Sequence, residues 1–330
     1  MRGYGVYTIL MFMRTSPGTP EAALQALAGT IEVPNAGALE PDLGAATASG
    51  HHGELLQGPV RLHESIETAL VTLPDKRWRS HAHGRVTPHS GTEVATTPHK
   101  PKVVAAVTSV MAILGVKDAR VELSFTGSIP ISRGLGSSTA DMISALRCVG
   151  HAFDLRIAAA EIARICHQVE GATDPTMFAT PEKLLFASRK SATLRRFPGM
   201  LPNFVVATFD ASETMGTVDT EKVIFDYSAH QVQRFEDAVR NYEKALKTRS
   251  TDLLKAATTE SARINQDFLP VPHWRNLVRV LDKHELGLQI AHTGSVLGLI
   301  AHPHQHLRLE CASREVSDVT GFTPTGIIKR

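Results

Sequence analysis

Cysteine is scarce, with three in 330 residues: Cys148, Cys166 and Cys311. An odd count cannot fully pair, and no two stand close enough for a structural zinc motif, so a disulfide-stapled or zinc-held fold is excluded. A reducing, cytoplasmic setting is expected. Long apolar runs are missing too. The longest near the start, Tyr7 to Met13, falls far short of the roughly 20 residues that span a bilayer. Arg14, Thr15, Ser16, Pro17 and Gly18 follow it without a signal-cleavage pattern. Charge of one sign is also absent, since 35 Lys and Arg stand against 33 Asp and Glu. That balance gives no broad field for nucleic acid or a membrane surface, so neither is expected as a partner. Any anionic ligand must be held by a local site. Glycine (24) and proline (18) are near ordinary usage and no repeat is visible, which excludes a fibrous or wholly disordered chain.

The length allows one large or two medium domains with a sizeable core. Residues 1–42, rich in Ala, Gly, Pro and Thr with internal methionines, read as a poorly packed extension or the product of a misassigned start. From Ala45 onward, small residues lead into His51, His52, Gly53, Glu54, Leu55, Leu56, Gln57 and Gly58, followed by Val60, Leu62, Ile66 and Leu70. This reads as strand, glycine-bearing turn and strand. Lys76 to Lys100, polar and dotted with histidines, reads as a long loop. Apolar spacing predicts a helix from Pro101 to Leu114 and a second from Ile157 to Val169. Val121, Leu123 and Phe125 alternate with polar neighbours as a strand does. Strand character returns at Phe204 to Thr208, and helical spacing runs from Ala229 to Phe268. Gly287 to Ala301 reads as two short strands around a Thr-Gly-Ser turn, with Ile327 and Ile328 closing a sheet.

The most informative segment lies between the Val121 strand and an apolar helical run: Pro130, Ile131, Ser132, Arg133, Gly134, Leu135, Gly136, Ser137, Ser138, Thr139, Ala140 and Asp141. Glycines at 134 and 136 remove the Cβ atoms that would block close approach of a ligand to the backbone. Ser137, Ser138 and Thr139 open a helix, whose unpaired N–H groups and positive dipole end attract anions. A serine hydroxyl there suits Mg²⁺, which prefers oxygen ligands. The same residues also describe a plain loop with a serine helix cap. Neither the G-x-x-x-x-G-K-[ST] phosphate loop nor the G-x-G-x-x-G dinucleotide fingerprint is matched.

Pro130 to Ala140 resembles the ATP loop of the GHMP kinases, P-x-x-x-G-L-G-S-S-[AT]-[AS], at eleven consecutive positions. Gly53 to Gly58 (G-E-L-L-Q-G) resembles that family's first motif, and Ala291 to Ile300 (A-H-T-G-S-V-L-G-L-I) its third. Within the family, G-E-L-L-Q-G and S-S-T-A-D are most similar to the L-threonine kinases of cobalamin side-chain synthesis and their relatives. The stretch Glu260 to Pro270 resembles the same subgroup. The resemblance covers roughly residues 45–330. It implies an α+β, two-domain GHMP kinase fold: an N-terminal ribosomal-protein-like domain at 43–195 and a C-terminal ferredoxin-like domain at 196–330, with the active site between them.

The resemblance further implies site roles. Pro130, Arg133, Gly134, Leu135, Gly136, Ser137, Ser138 and Thr139 would hold ATP, with Ser138 and Glu170 on Mg²⁺. Asp174 would face the acceptor hydroxyl as base or orienting group, although an Asp-Pro turn and a solvated helix-end glutamate are the plain readings of Asp174 and Glu170. Glu54, Gly294 and Ser295 would bind substrate, with His292 and Thr293 near it and Asn265 and Gln266 as weaker candidates. His51 and His52 stand where relatives usually carry small, aromatic or Cys side chains. His302, His304 and His306 alternate as metal ligands on a strand would, but Pro303 interrupts them and no further donors complete a shell. The charges between Arg234 and Lys255 read as a solvated helix face.

The expected activity is ATP- and Mg-dependent phosphorylation of a hydroxyl on a small molecule by a monomer or homodimer. L-threonine is the first choice of acceptor, then another hydroxy amino acid or a specialised-metabolism alcohol. A non-catalytic nucleotide-binding regulator is the alternative of another class.

Overall fold

The computed structural model describes residues 42–131, 133–215, 223–292 and 294–330. The extension read over residues 1–42, apart from Asp42, and the candidate Thr293 lie outside the described residues.

Two long strands organise the molecule. β1 (Asp42–Leu62) and β2 (Ser65–Pro88) pair antiparallel around a tight turn. β2 also pairs with β4 (Ala119–Gly127), and β3 (Thr92–Thr97) adds in parallel at the edge. β5 (Leu184–Ala187) pairs with β2 and with β6 (Ala192–Arg196). On the other side β1 meets β8 (Gly287–Ile290), followed by β9 (Val296–Ala301), β7 (Val205–Asp210) and β10 (Thr323–Lys329). The contact between β1 and β8 is a single backbone pair, Glu54 with Ile290. The candidate Glu54 therefore sits at the seam of a continuous sheet.

Lys76 to Lys100 is thus strand and not the long loop expected from its sequence. The inward positions of this part of β2 are Ser80, Ala82, a half-buried Gly84 and Val86, too small or polar to carry a hydrophobic alternation. They are small because a helix lies close over them. A Cβ on Gly44 would sit 2.3 Å from the Cys148 carbonyl oxygen of that helix, and one on its partner Gly84 would lie 3.4 Å from Cys148 Sγ and strike Leu123 Cδ2 of β4 at 2.5 Å.

That helix, α2 (Ser137–Ala152), packs between the hairpin and α1 (Pro101–Ile113), with α3 (Ala159–Glu170) alongside. Met142, Ile143, Leu146 and Val149 of α2 are fully buried in this core with Val103, Val107 and Val110 of α1. A second core joins Leu55, Leu56, Val71 and Leu73 of the hairpin to Phe235 and Tyr242 of α4 (Ala229–Thr248) and Leu254 of α5 (Thr251–Asn265). A third lies under α6 (Trp274–His284) and α7 (His306–Thr320). The α4 cap is a full capping box between Ser228 and Gln231. No helix among the described residues is long and apolar enough to cross a membrane.

Candidate active site

The site begins with an irregularity in β1. Residues three apart on a regular strand point to opposite faces, yet His51 and Glu54 both line one cleft of about 370 Å³. Register breaks at Ser49/Gly50, His51/Glu54 and Glu54/Leu56 reset the alternation. Gly53, at φ 65°, carries the turn of the bulge, and a side chain there would strike Ala291 Cα at 2.6 Å. The turn expected at this glycine is therefore a bulge inside one strand.

The glycine loop forms the floor of the cleft. Gly134 and Gly136 have φ of 67° and 72°, and Gly136 caps α2 without any side-chain cap, leaving the first N–H groups of the helix unclaimed by a side chain. Leu135, Ser137, Ser138 and Thr139 line the cleft with them. Gly136 has a second reason to be glycine: a Cβ would lie 2.5 Å from His51 Cδ2. The loop is tied to β1 by the His51 N–H donating to the Leu135 carbonyl at 3.1 Å.

Glu170, the last residue of α3, also lines the cleft. Its Oε1 accepts from Lys102 Nζ at 2.9 Å and its Oε2 from Thr139 Oγ1 at 3.1 Å. Lys102 escaped the sequence reading, where it is one more lysine at a helix start. Only the return of α1 beside the loop makes it a cleft residue.

Beside it stands a group of three, His51 and Glu54 buried and Asp174 partly exposed. His51 Nε2 lies 3.1 Å from Asp174 Oδ2, while His51 Nδ1 accepts the Gly53 N–H at 3.0 Å and lies 3.9 Å from Glu54 Oε1. The donor atoms of all three lie within 4.8 Å of one another. Burial works against protonation of His51, but Asp174 foremost and then Glu54 outweigh it and raise its pKa. Burial alone would raise Asp174, yet His51 holds its carboxyl below the usual range. Glu54 is the reverse case, pushed by burial to about 8. No side chain among the described residues donates a hydrogen bond to either of its oxygens, and the His292 backbone N–H is the group that approaches them. A buried carboxylate that faces a cleft and has no side-chain donor is suited to a cationic or hydroxyl-bearing ligand.

The adjacent His52 points elsewhere. Its Nδ1 meets Gln289 Oε1 at 3.0 Å, and Gln289 Nε2 donates back to the His52 carbonyl at 2.6 Å. This pair of hydrogen bonds locks β1 to β8, and burial lowers the His52 pKa to about 4.

Other candidates make contacts around the cleft. Arg133 pairs with Asp210 at 2.9 Å, and the Ser295 hydroxyl, buried, donates to the Arg133 carbonyl at 3.2 Å. These contacts clamp the glycine loop to the end of β7 and the β8–β9 turn. Gly294, at φ 75°, donates to the Ala291 carbonyl within that turn. Pro130, Arg133, Gly294 and Ser295 are not among the described residues lining the cleft, whereas His292 is. Asn265 accepts from Gln57 Nε2 at 3.0 Å, and Ser261 bonds both backbone groups of Gln57, so the Glu260–Pro270 stretch braces the G-E-L-L-Q-G segment. Gln266 accepts the Val271 N–H. His302 meets Asp252 and begins a helical turn before α7, so the three alternate histidines do not share a strand face.

This arrangement has known counterparts. Residues 102–180 match the N-terminal domain of the GHMP kinases, and the chain has the two-domain α+β fold of that family. The L-threonine kinase of Citrobacter freundii is 27% identical over 195 residues, 58% of this chain and 65% of the relative. The match thus spans less than two thirds of that relative's length. Among solved structures, homoserine kinase from Cytophaga hutchinsonii superposes with a TM-score of 0.65 at 12% identity, over 87% of this chain and 94% of that one. The phosphomevalonate kinase of Streptococcus pneumoniae, solved with phosphomevalonate and AMPPNP, gives 0.60 at 9% identity, over 88% of this chain and 100% of that one.

Proposed function

We propose that this protein is an ATP- and magnesium-dependent kinase that phosphorylates a hydroxyl of a small metabolite, with L-threonine, giving O-phospho-L-threonine, as the preferred acceptor. One observation carries the reading: a single cleft is lined by an uncapped helix N-terminus after a glycine loop and by two carboxylates, Glu54 buried and Asp174 partly exposed. The first suits a polyphosphate and the second a polar acceptor. L-threonine is favoured by the similarity to the L-threonine kinase of Citrobacter freundii, and a cobalamin side-chain destination rests on the resemblance of the G-E-L-L-Q-G and S-S-T-A-D motifs alone.

In this reading Gly134 to Thr139 cradle the phosphates with backbone N–H groups. The Ser138 hydroxyl and the Glu170 carboxylate are hard oxygen donors on one cleft, a set that fits Mg²⁺. The ion would neutralise charge on the phosphate oxygens. Asp174 accepts a hydrogen bond from the acceptor hydroxyl and orients its oxygen towards the γ-phosphorus. As the new O–P bond forms, the bond to ADP breaks and the hydroxyl proton passes to Asp174 or to solvent. Glu54 takes the acceptor's ammonium, and Arg133 and Ser295 hold the loop in place.

The test is ADP release from ATP and Mg²⁺ against L-threonine, L-serine, L-homoserine, D-threonine and small amino alcohols. Preference for L-threonine supports the full reading, and preference for another alcohol keeps the kinase and changes the acceptor. ATP binding without turnover on any acceptor favours a regulator that retains the fold.

A further inference from the structure

The buried His51 side chain touches the glycine loop and meets both Asp174 and Glu54. Its backbone N–H bonds Leu135, its ring lies against Gly136, its Nε2 meets Asp174 and its Nδ1 faces Glu54. When the ring is neutral, the Gly53 N–H aimed at Nδ1 leaves the proton on Nε2, directed at Asp174; protonation adds a positive charge without removing that donor. The charged and titratable groups around the ring are Asp174 and Glu54 in contact, with His52 and His292 farther off. Two carboxylates this close, one of them buried, repel one another and take up a proton when no donor stands between them.

We propose that His51 is a positioning residue of the acceptor subsite: through Nε2 it fixes the Asp174 carboxylate against the glycine loop, so that the acceptor hydroxyl is aligned with the phosphate held there. The inference rests on the kinase reading. It assigns a task to a residue that departs from the usual first motif, and it explains why Gly136 must lack a side chain on the face towards β1.

The experiment is the pH profile of kcat/KM for the acceptor in wild type, His51→Ala and His51→Gln. His51→Ala should lower kcat by about 10- to 100-fold through misplacement of Asp174. Its acid limb should move up by about one pH unit, because a carboxylate that loses its cationic partner binds a proton more readily. His51→Gln, which keeps a donor, should recover part of kcat but not the acid limb. A loss uniform across pH, or no loss, overturns the inference while leaving the kinase intact. Wild type inactive on every acceptor overturns the kinase reading and this inference with it. Should the His51 variants not fold, two-bond ¹H–¹⁵N correlation of the His51 ring is measured in wild type and Asp174→Asn. A ring that titrates well above the ordinary 6.5 in wild type and falls towards it in the variant supports the pairing, and identical titrations overturn it.

Discussion

Lys102 and Glu170 meet at 2.9 Å across the mouth of the cleft, one from the first turn of α1 and the other from the last residue of α3. Half the Lys102 side chain is exposed, so the pair adds little to stability, and its value lies in fixing where the carboxylate points. Glu170→Gln should raise the Mg²⁺ concentration for half-maximal activity at least about tenfold, the scale seen when groups supporting a metal are lost. A magnesium titration of ADP release checks this, and an unchanged midpoint removes Glu170 from the metal site.

Asp174→Asn should reduce kcat by about 10²- to 10⁴-fold, the range for a group that orients or deprotonates a nucleophile. ATP affinity by calorimetry should stay within a few-fold. Full activity in this variant would exclude the acceptor role.

Glu54, raised to about 8 by burial, must ionise to hold an ammonium. The acceptor KM should therefore fall as pH rises from 6 to 8.5, and Glu54→Gln should flatten that dependence while raising KM. A pH-independent KM in wild type would assign the acceptor's amine elsewhere.

His52 is held neutral by burial, with its folded pKa lowered to about 4. The unfolded chain binds more protons between pH 6.5 and 4, so stability present above 6.5 is lost as pH falls through that window. Thermal melts of wild type should lose Tm over this range and His52→Gln should lose less. Equal slopes would place the acid sensitivity at another group.

Gly136→Ala forces a Cβ to 2.5 Å from His51 at a φ of 72°. The strain of a non-glycine residue at such an angle is about 1–3 kcal/mol, and the displaced ring would disturb Asp174. Chemical denaturation and the kinase assay should both register the change. A variant with wild-type stability and rate would mean that the loop shifts without consequence.

Much of this architecture was legible in the sequence because its signals are local. Apolar spacing marked α1, α2 and α3 within a few residues, and strand, glycine loop and helix followed in the order expected at Pro130 to Ala140. β2 beyond Lys76 was not legible, since its inward residues are kept small by a helix that the sequence brings in fifty residues later. The β1 bulge was equally hidden, because Gly53 marks a turn as readily as a bulge.

The chain's own residues determined that a phosphate-sized loop opens a helix and that acidic residues accompany it, because backbone freedom at glycine and dipoles at helix ends are properties of neighbours in sequence. Only the tertiary structure decided that His51 pairs with Asp174, 123 residues away, that Lys102 closes on Glu170, and that Ser295 bonds the Arg133 carbonyl. Those choices depend on which strand faces meet and where burial removes water, and a charge or a lone pair finds its partner only once that packing is in place.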